Sequence, residues 1–392
     1  MANWRRYIPE GTKDTLFEEC SKKIYIENIL RKTYVESGFM ELKSPTLEFY
    51  DVFNIENTTL PQEKMYKLFD NQGRILVLKP DMTIPIARIA AAKLNEAPHP
   101  LKLCYTSNIY RVNESLHGNN NEITQSGIEI IGVKSLKADV EAIIIGIRSL
   151  LNCGLKDFKI ELGQAEFFKA VIEETNLEDE KKEKLRKSIE SKNFTTLSEL
   201  LEVERKNIDG KVLNVLREMP GLFGGIEILD KAEKLTLDNE MAQAALNSIR
   251  KVYAVIESIG LSSYLSIDLG MVQDLNYYTG IIFRGYTHGV GGNILTGGRY
   301  DNLITQFGDN EPATGFAIDV DSVLSALDDS NQTFEDKRTK VLICYGSDSF
   351  KEAYEKALEL RNKGIIAEVS SFDNNIEAAN YAEKKNMKLI NL

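Results

Sequence analysis

Residues 276–301, NYYTGIIFRGYTHGVGGNILTGGRYD, hold the densest set of groups able to grip a small molecule. Tyr277 and Tyr278 offer flat apolar faces with a polar tip. Gly289, Gly291, Gly292 and the pair Gly297-Gly298 allow a backbone to approach a ligand or to turn with positive φ. Two readings are open from these residues alone: one wall of a pocket, or two hairpin turns in an antiparallel sheet, where Gly-Gly is ordinary turn chemistry. Asp81 stands just ahead of an apolar helical stretch, where it can cap the first turn and meet the positive end of the helix dipole. His99 lies between two prolines, and His117 and His288 have no acid or cysteine at ligand spacing, so no metal is expected. Cys20, Cys104, Cys153 and Cys344 form no CxxC pair and read as reduced, mostly buried thiols.

The elements that must position these groups belong to an ordinary globular chain. Of 392 residues, 43% are hydrophobic and 27% charged, which excludes a disordered or fibrous class. The length suggests two to three domains at roughly 150 residues each. A formal net charge of -11 disfavours a broad nucleic-acid face. The start, MANWRRYIPEGTKD, has no apolar core of a signal peptide, and no apolar run approaches the ~20 residues a bilayer demands. A cytoplasmic location, with no membrane partner, is the expectation.

Apolar spacing predicts a helix over 15–37, stopped by Gly38, then a strand over 39–48 that Pro45 confines to an edge or to partial pairing. Segments 64–70 and 74–79 flank Asn71-Gln72-Gly73 as a hairpin, followed by a helix from Ile84 to about Leu94. Strands are expected at 101–112, 122–131 and 158–163, with an amphipathic helix over 136–153. Residues 164–260 carry helical periodicity and many charges; the mixed charges of 179–192 read as a solvated helix face. Strands resume at 264–269, 280–286 and 314–319, with a helix over 320–327 and a linker at 328–333. The tail from Val341 follows a βαβαβ order, which argues for a small parallel α/β unit.

Taken together, these blocks resemble the class II aminoacyl-tRNA synthetases, and among them histidyl-tRNA synthetase. GFMELKSPTLE is similar to the first motif, whose proline-bearing strand makes the dimer interface, and YRVNE with EITQSGIEIIG to the second. KMYKLFDNQGRILVLKPDMT is similar to the segment carrying the family's LRPE-x-T, LNYYTGIIF with GGRYDNL to the histidine signature, and GFAIDVDSVL to the third motif. The blocks come in the family's order over about residues 5–330. The resemblance implies an α+β fold: an antiparallel sheet flanked by helices over 1–163 and 261–330, a helical insert at 164–260, and a C-terminal α/β unit at 338–392. That last unit resembles the start of an anticodon-binding domain, and with the acidic charge it makes tRNA an unexpected partner.

The family's chemistry sets a carboxylate against an α-phosphate, and two anions need arginines. Arg111 keeps one. Asn119 and Asn121, Gln273 and Ser322 stand where others are expected, with Asp319 and Asp321 beside the last. Losing a hydrogen bond to a charged group costs ~1.5–3 kcal/mol, so several losses imply that adenylate formation is gone. The amino-acid side is better kept. The resemblance assigns histidine binding to Asp81, Thr83, Arg111, Gln125, Glu129, Tyr277 and Tyr278. This combination resembles a group of synthetase paralogues that serve as regulatory subunits of ATP phosphoribosyltransferase. It implies a non-catalytic role in the first step of histidine biosynthesis, with a short-form catalytic phosphoribosyltransferase subunit as partner and histidine as effector. It also implies a homodimer through residues 38–48 within a larger hetero-oligomer, and no cofactor. The alternative is a divergent histidyl-tRNA synthetase that activates histidine with ATP.

Overall fold

The structure is a computed structural model and describes residues 4–54, 61–113, 120–236, 238–272, 277–308, 310–329, 338–346 and 349–392. Along the chain, α1 (Phe17–Glu36) leads into β1 (Met40–Glu41) and β2 (Leu47–Phe49). The hairpin β3 (Lys67–Phe69) and β4 (Ile75–Leu78) precedes α2 (Thr83–Lys93). The longest strands, β5 (Leu101–Tyr110) and β6 (Glu122–Ile131), are followed by α3 (Leu136–Asn152) and β7 (Phe158–Gln164). Next come α4 (Ala165–Glu173), α5 (Asp179–Glu190), α6 (Phe194–Val203), α7 (Gly210–Glu218), the short β8 (Phe223–Gly224), α8 (Glu227–Leu235) and α9 (Glu240–Ser258). Then follow β9 (Leu265–Asp268), β10 (Ile281–Thr287), β11 (Leu295–Arg299), β12 (Ala313–Asp319) and α10 (Val320–Asp329). The tail holds β13 (Lys340–Cys344), α11 (Phe350–Asn362), β14 (Ile366–Val369), α12 (Asn375–Lys384) and β15 (Lys388–Asn391).

Nine strands form one sheet in the order β1-β5-β6-β12-β11-β10-β7-β9-β8. Its pairings are antiparallel except β1 with β5 and β7 with β9. Helix α1 covers it with Ile26, Leu30 and Tyr34, which fall four residues apart and are all buried. Gly38 ends that segment at φ 86°, a conformation only glycine takes without strain. The strand expected over 39–48 is two strands in two sheets. β1 joins the large sheet, while β2 pairs with β4 in a three-stranded sheet of order β2-β4-β3. Pro45 lies in the break, where the missing N–H ends any continuous ladder.

The charged stretch after Gln164 is helical apart from β8, and α9 packs on α3, α4 and β7. Residues 1–332 therefore cluster as one compact unit that includes these helices. Helix α10 runs to Asp329, two residues into the expected linker, whose remainder lies outside the described residues. The second unit, 333–392, has a parallel sheet of order β14-β13-β15. Alternate β13 residues feed two small cores: Val341 and Ile343 pack with Ala353 and Ala357 of α11, and Leu342 and Cys344 with Ala378 and Ala382 of α12. Among the described residues, no helix is long and apolar enough to cross a membrane.

Candidate functional site

A cavity of about 430 Å³ opens where β6 and β12 pair, with walls from α2, α5 and β11. This is the size of a small-molecule site, roughly 300–1,000 Å³. On β6, Gln125 and Glu129 lie four residues apart, an even number, and so point to the same face. Across the ladder Glu129 faces Gly315, where a Cβ would overlap the Glu129 carboxylate. Glycine at 315 is what leaves room for that acid.

Glu129 is 1% exposed. Thr83 Oγ1 donates to its Oε1 at 3.0 Å and the Tyr300 hydroxyl donates to its Oε2. Burial pushes its pKa up to about 8; the bonds from Tyr300 and Thr83 oppose the rise, and nearby Asp81 adds to it. Asp81 is also raised by burial, against the Ile84 N–H and the charge of Arg111. Its Oδ1 accepts from Ile84 N at 3.0 Å, so the expected helix cap is present. One side of the cavity thus stores two desolvated acids, a wall that a cationic group would relieve.

Arg111 follows β5 and is oriented by its Nε, which donates to the Pro80 carbonyl at 2.8 Å. Tyr277 stacks on Tyr300, centroids 6.0 Å apart at 25°, and meets Tyr278 edge-on at 4.8 Å and 86°. Gly298 lets β11 pass beneath the Tyr278 ring, 2.6 Å from where a Cβ would sit. The pocket-wall reading of the opening stretch holds, and of the two hairpin turns only one is present: 288–294 closes the β10–β11 hairpin, while Gly297 and Gly298 sit inside a strand that lines the pocket.

All seven residues singled out from the sequence, Asp81, Thr83, Arg111, Gln125, Glu129, Tyr277 and Tyr278, line this one cavity. Tyr300, Thr296, Arg186 and Glu190 line it too and were not singled out as site residues. The last two correct the reading of 179–192 as a solvated face. Leu185, Arg186, Ser188 and Ile189 are buried, and Arg186 is 6% exposed. Arg186 Nε and Nη2 donate to Glu183 at 2.7 and 2.8 Å, and its Nη1 donates to Glu190 and to the Val272 carbonyl at 2.8 and 2.7 Å. Leu185 and Ile189, four apart, are the signal that one side of this helix packs.

Other motif residues have structural work. Arg299 bonds Asp139 at 3.0–3.1 Å and the Val133 carbonyl at 3.1 Å, tying β11 to α3 and its approach. Asp321 accepts from Lys23 at 2.6 Å and from the Thr124 N–H at 2.9 Å, and Asp319 accepts from the Ser322 N–H at 2.9 Å. Neither aspartate lines the cavity. Asn121 donates to the Glu10 carbonyl and accepts from the Asn113 N–H. Asn119, His117, Gln273 and Asn276 lie outside the described residues.

Sheet order, cavity position and helical segment together define a class II synthetase-like fold. The family model described as Histidyl-tRNA synthetase matches residues 11–323. The ATP phosphoribosyltransferase regulatory subunit of Clostridium kluyveri is 64% identical over 100% of both chains, and that of Clostridium acetobutylicum 53% over 100% of this chain and 96% of the relative. Among solved structures, an ATP phosphoribosyltransferase regulatory subunit/histidyl-tRNA synthetase from Bacillus halodurans superposes with TM-score 0.88 at 30% identity, covering 100% and 99% of the two chains. A histidyl-tRNA synthetase from Nostoc shares the fold at TM-score 0.81 and 20% identity, over 98% and 90%. The chain belongs to the family of ATP phosphoribosyltransferase regulatory subunits, built on the histidyl-tRNA synthetase fold.

Proposed function

We propose that this chain is a non-catalytic subunit that assembles with a short-form catalytic ATP phosphoribosyltransferase subunit in the cytoplasm, activates it, and makes it sensitive to histidine. The observation that carries the histidine part is the cavity. Seven residues from four separate stretches of sequence converge there, among them the buried acid Glu129 and the partly buried Asp81, whose carboxyls are both raised by desolvation. Buried acids take the α-ammonium, the tyrosines flank the imidazole, and Gln125 and Arg111 serve the polar end. The positions where adenylation needs arginine support a role without chemistry: Asn121 and Ser322 carry no charge, and the Asn121 side chain is held by the Glu10 carbonyl and the Asn113 N–H. We also propose a homodimer through residues 38–48, supported by the edge position of β1 and the exposed Met40 and Leu47.

For histidine to regulate, it must bind two assembly states with different affinity. The test is a phosphoribosyltransferase assay on the separately purified catalytic subunit, alone and mixed with this chain. Activity should depend on the mixture and fall when histidine is added. Histidine-dependent ATP–pyrophosphate exchange by this chain alone would instead favour a synthetase.

A further inference from the structure

Helix α5 ends inside the cavity wall with an unusual arrangement of charge. Glu190, its last residue, accepts from Arg186 Nη1 through Oε2 at 2.8 Å and from Arg284 Nη2 through Oε1 at 3.0 Å. One carboxylate is therefore spanned by two guanidinium groups, each contributing a charge-assisted hydrogen bond. Arg186 and Glu190 line the same cavity as the partly buried Asp81 and the buried Glu129.

An amino acid brings both signs of charge. Its ammonium goes to the acid wall, so its carboxylate needs a cation elsewhere in the cavity. Among the described lining residues the cations are Arg111 and Arg186. Arg111 acts on Asp81, at the acid wall itself. Arg186 is built differently. Glu183 grips its Nε and Nη2 edge, and the Val272 carbonyl holds Nη1, so its orientation does not depend on Glu190. Glu190 is 30% exposed, so its carboxylate can turn toward solvent while Arg186 Nη1 keeps the Val272 carbonyl.

We propose that Arg186, backed by Arg284, which lies behind Glu190 and outside the cavity lining, forms the carboxylate seat of this cavity, and that the ligand's carboxylate takes it by displacing Glu190. The proposal rests on the amino-acid reading of the pocket and adds how occupancy is transmitted. The exchange is even in charge, one carboxylate for another, so the arginines are never left uncompensated. It releases Glu190 from Arg284, and with it an ion pair between the end of α5 and β10. The ligand's carboxylate, rather than its ring, then reports binding to the helical segment.

The test is calorimetry on the full 392-residue chain with L-histidine and with histidinol, which has an alcohol in place of the carboxylate. Glu190→Gln removes the internal competitor while keeping shape. Charge-assisted bonds are worth about 1.5–3 kcal/mol, so histidine should bind roughly tenfold or more tightly to the variant. Histidinol affinity should stay within about twofold, since it makes no claim on the seat. Arg186→Gln should weaken histidine and leave histidinol unchanged. If Glu190→Gln leaves histidine affinity as it was, or shifts both ligands alike, the seat is wrong while the pocket stands. If the parent chain binds neither ligand, the amino-acid reading falls and takes the seat with it.

Discussion

Replacing Glu129 with glutamine should flatten the pH dependence of stability. In the fold this carboxyl titrates near 8, against an ordinary value of 4.5, and the first cause is burial. The folded chain therefore holds a proton that the unfolded chain releases at lower pH. A raised folded pKa means the contribution is fully present below about 4.5, declines as pH rises, and is lost above about 8. The slope is about 1.4 kcal/mol per pH unit across that window, with a ceiling of ~5 kcal/mol. Relaxation around the ionised group reduces this, so ~2–4 kcal/mol is expected. Glutamine keeps an acceptor for Thr83 and cannot ionise. Urea unfolding at pH 5.5, 7 and 8.5 measures the effect as the difference between parent and variant, which cancels the raised acids away from the cavity, Glu27, Asp139, Glu161 and Asp319. The parent should lose stability relative to the variant as pH rises. Equal slopes in the two proteins would refute the account of Glu129 as a desolvated acid waiting for a cation.

Two further perturbations address the scaffold. Met40→Asp places a charge on the exposed edge strand β1, and sedimentation should show a shift from dimer toward monomer with the cavity still able to bind histidine; an unchanged dimer would move the interface elsewhere. Arg299→Met strands Asp139, whose side chain is fully buried, and should cost about 3–5 kcal/mol in unfolding free energy, with part of the loss recovered by adding Asp139→Asn.

The sequence was most informative where side-chain chemistry and chain order coincide. Asp81 beside the start of α2, the alternating Gln125 and Glu129 of β6, and the tyrosine pair each sit at a position whose local structure is set by short-range pattern. They meet because β6 and β12 pair in one register. The contribution of α5 was hidden. A run such as DEKKEKLRKSIESK has too few apolar residues to show which charges turn inward, and the partners that receive the buried Arg186 include the Val272 carbonyl, 86 residues away. In the sequence, Asp319 and Asp321 stand beside Ser322 as anions that would repel a triphosphate. Asp319 caps α10 through the Ser322 N–H, and Asp321 ties Lys23 to the Thr124 backbone, a use that depends on contacts far apart in sequence. The division of 39–48 between two sheets was likewise invisible beyond the mark left by Pro45.

The central claim is that this cavity senses histidine, and calorimetry of histidine against the chain assembled with its catalytic subunit tests it most directly. The account predicts saturable binding at one cavity per chain that Glu129→Ala reduces by at least about tenfold, the loss of one charged contact. Binding of equal affinity in the parent and the Glu129→Ala complex would contradict it.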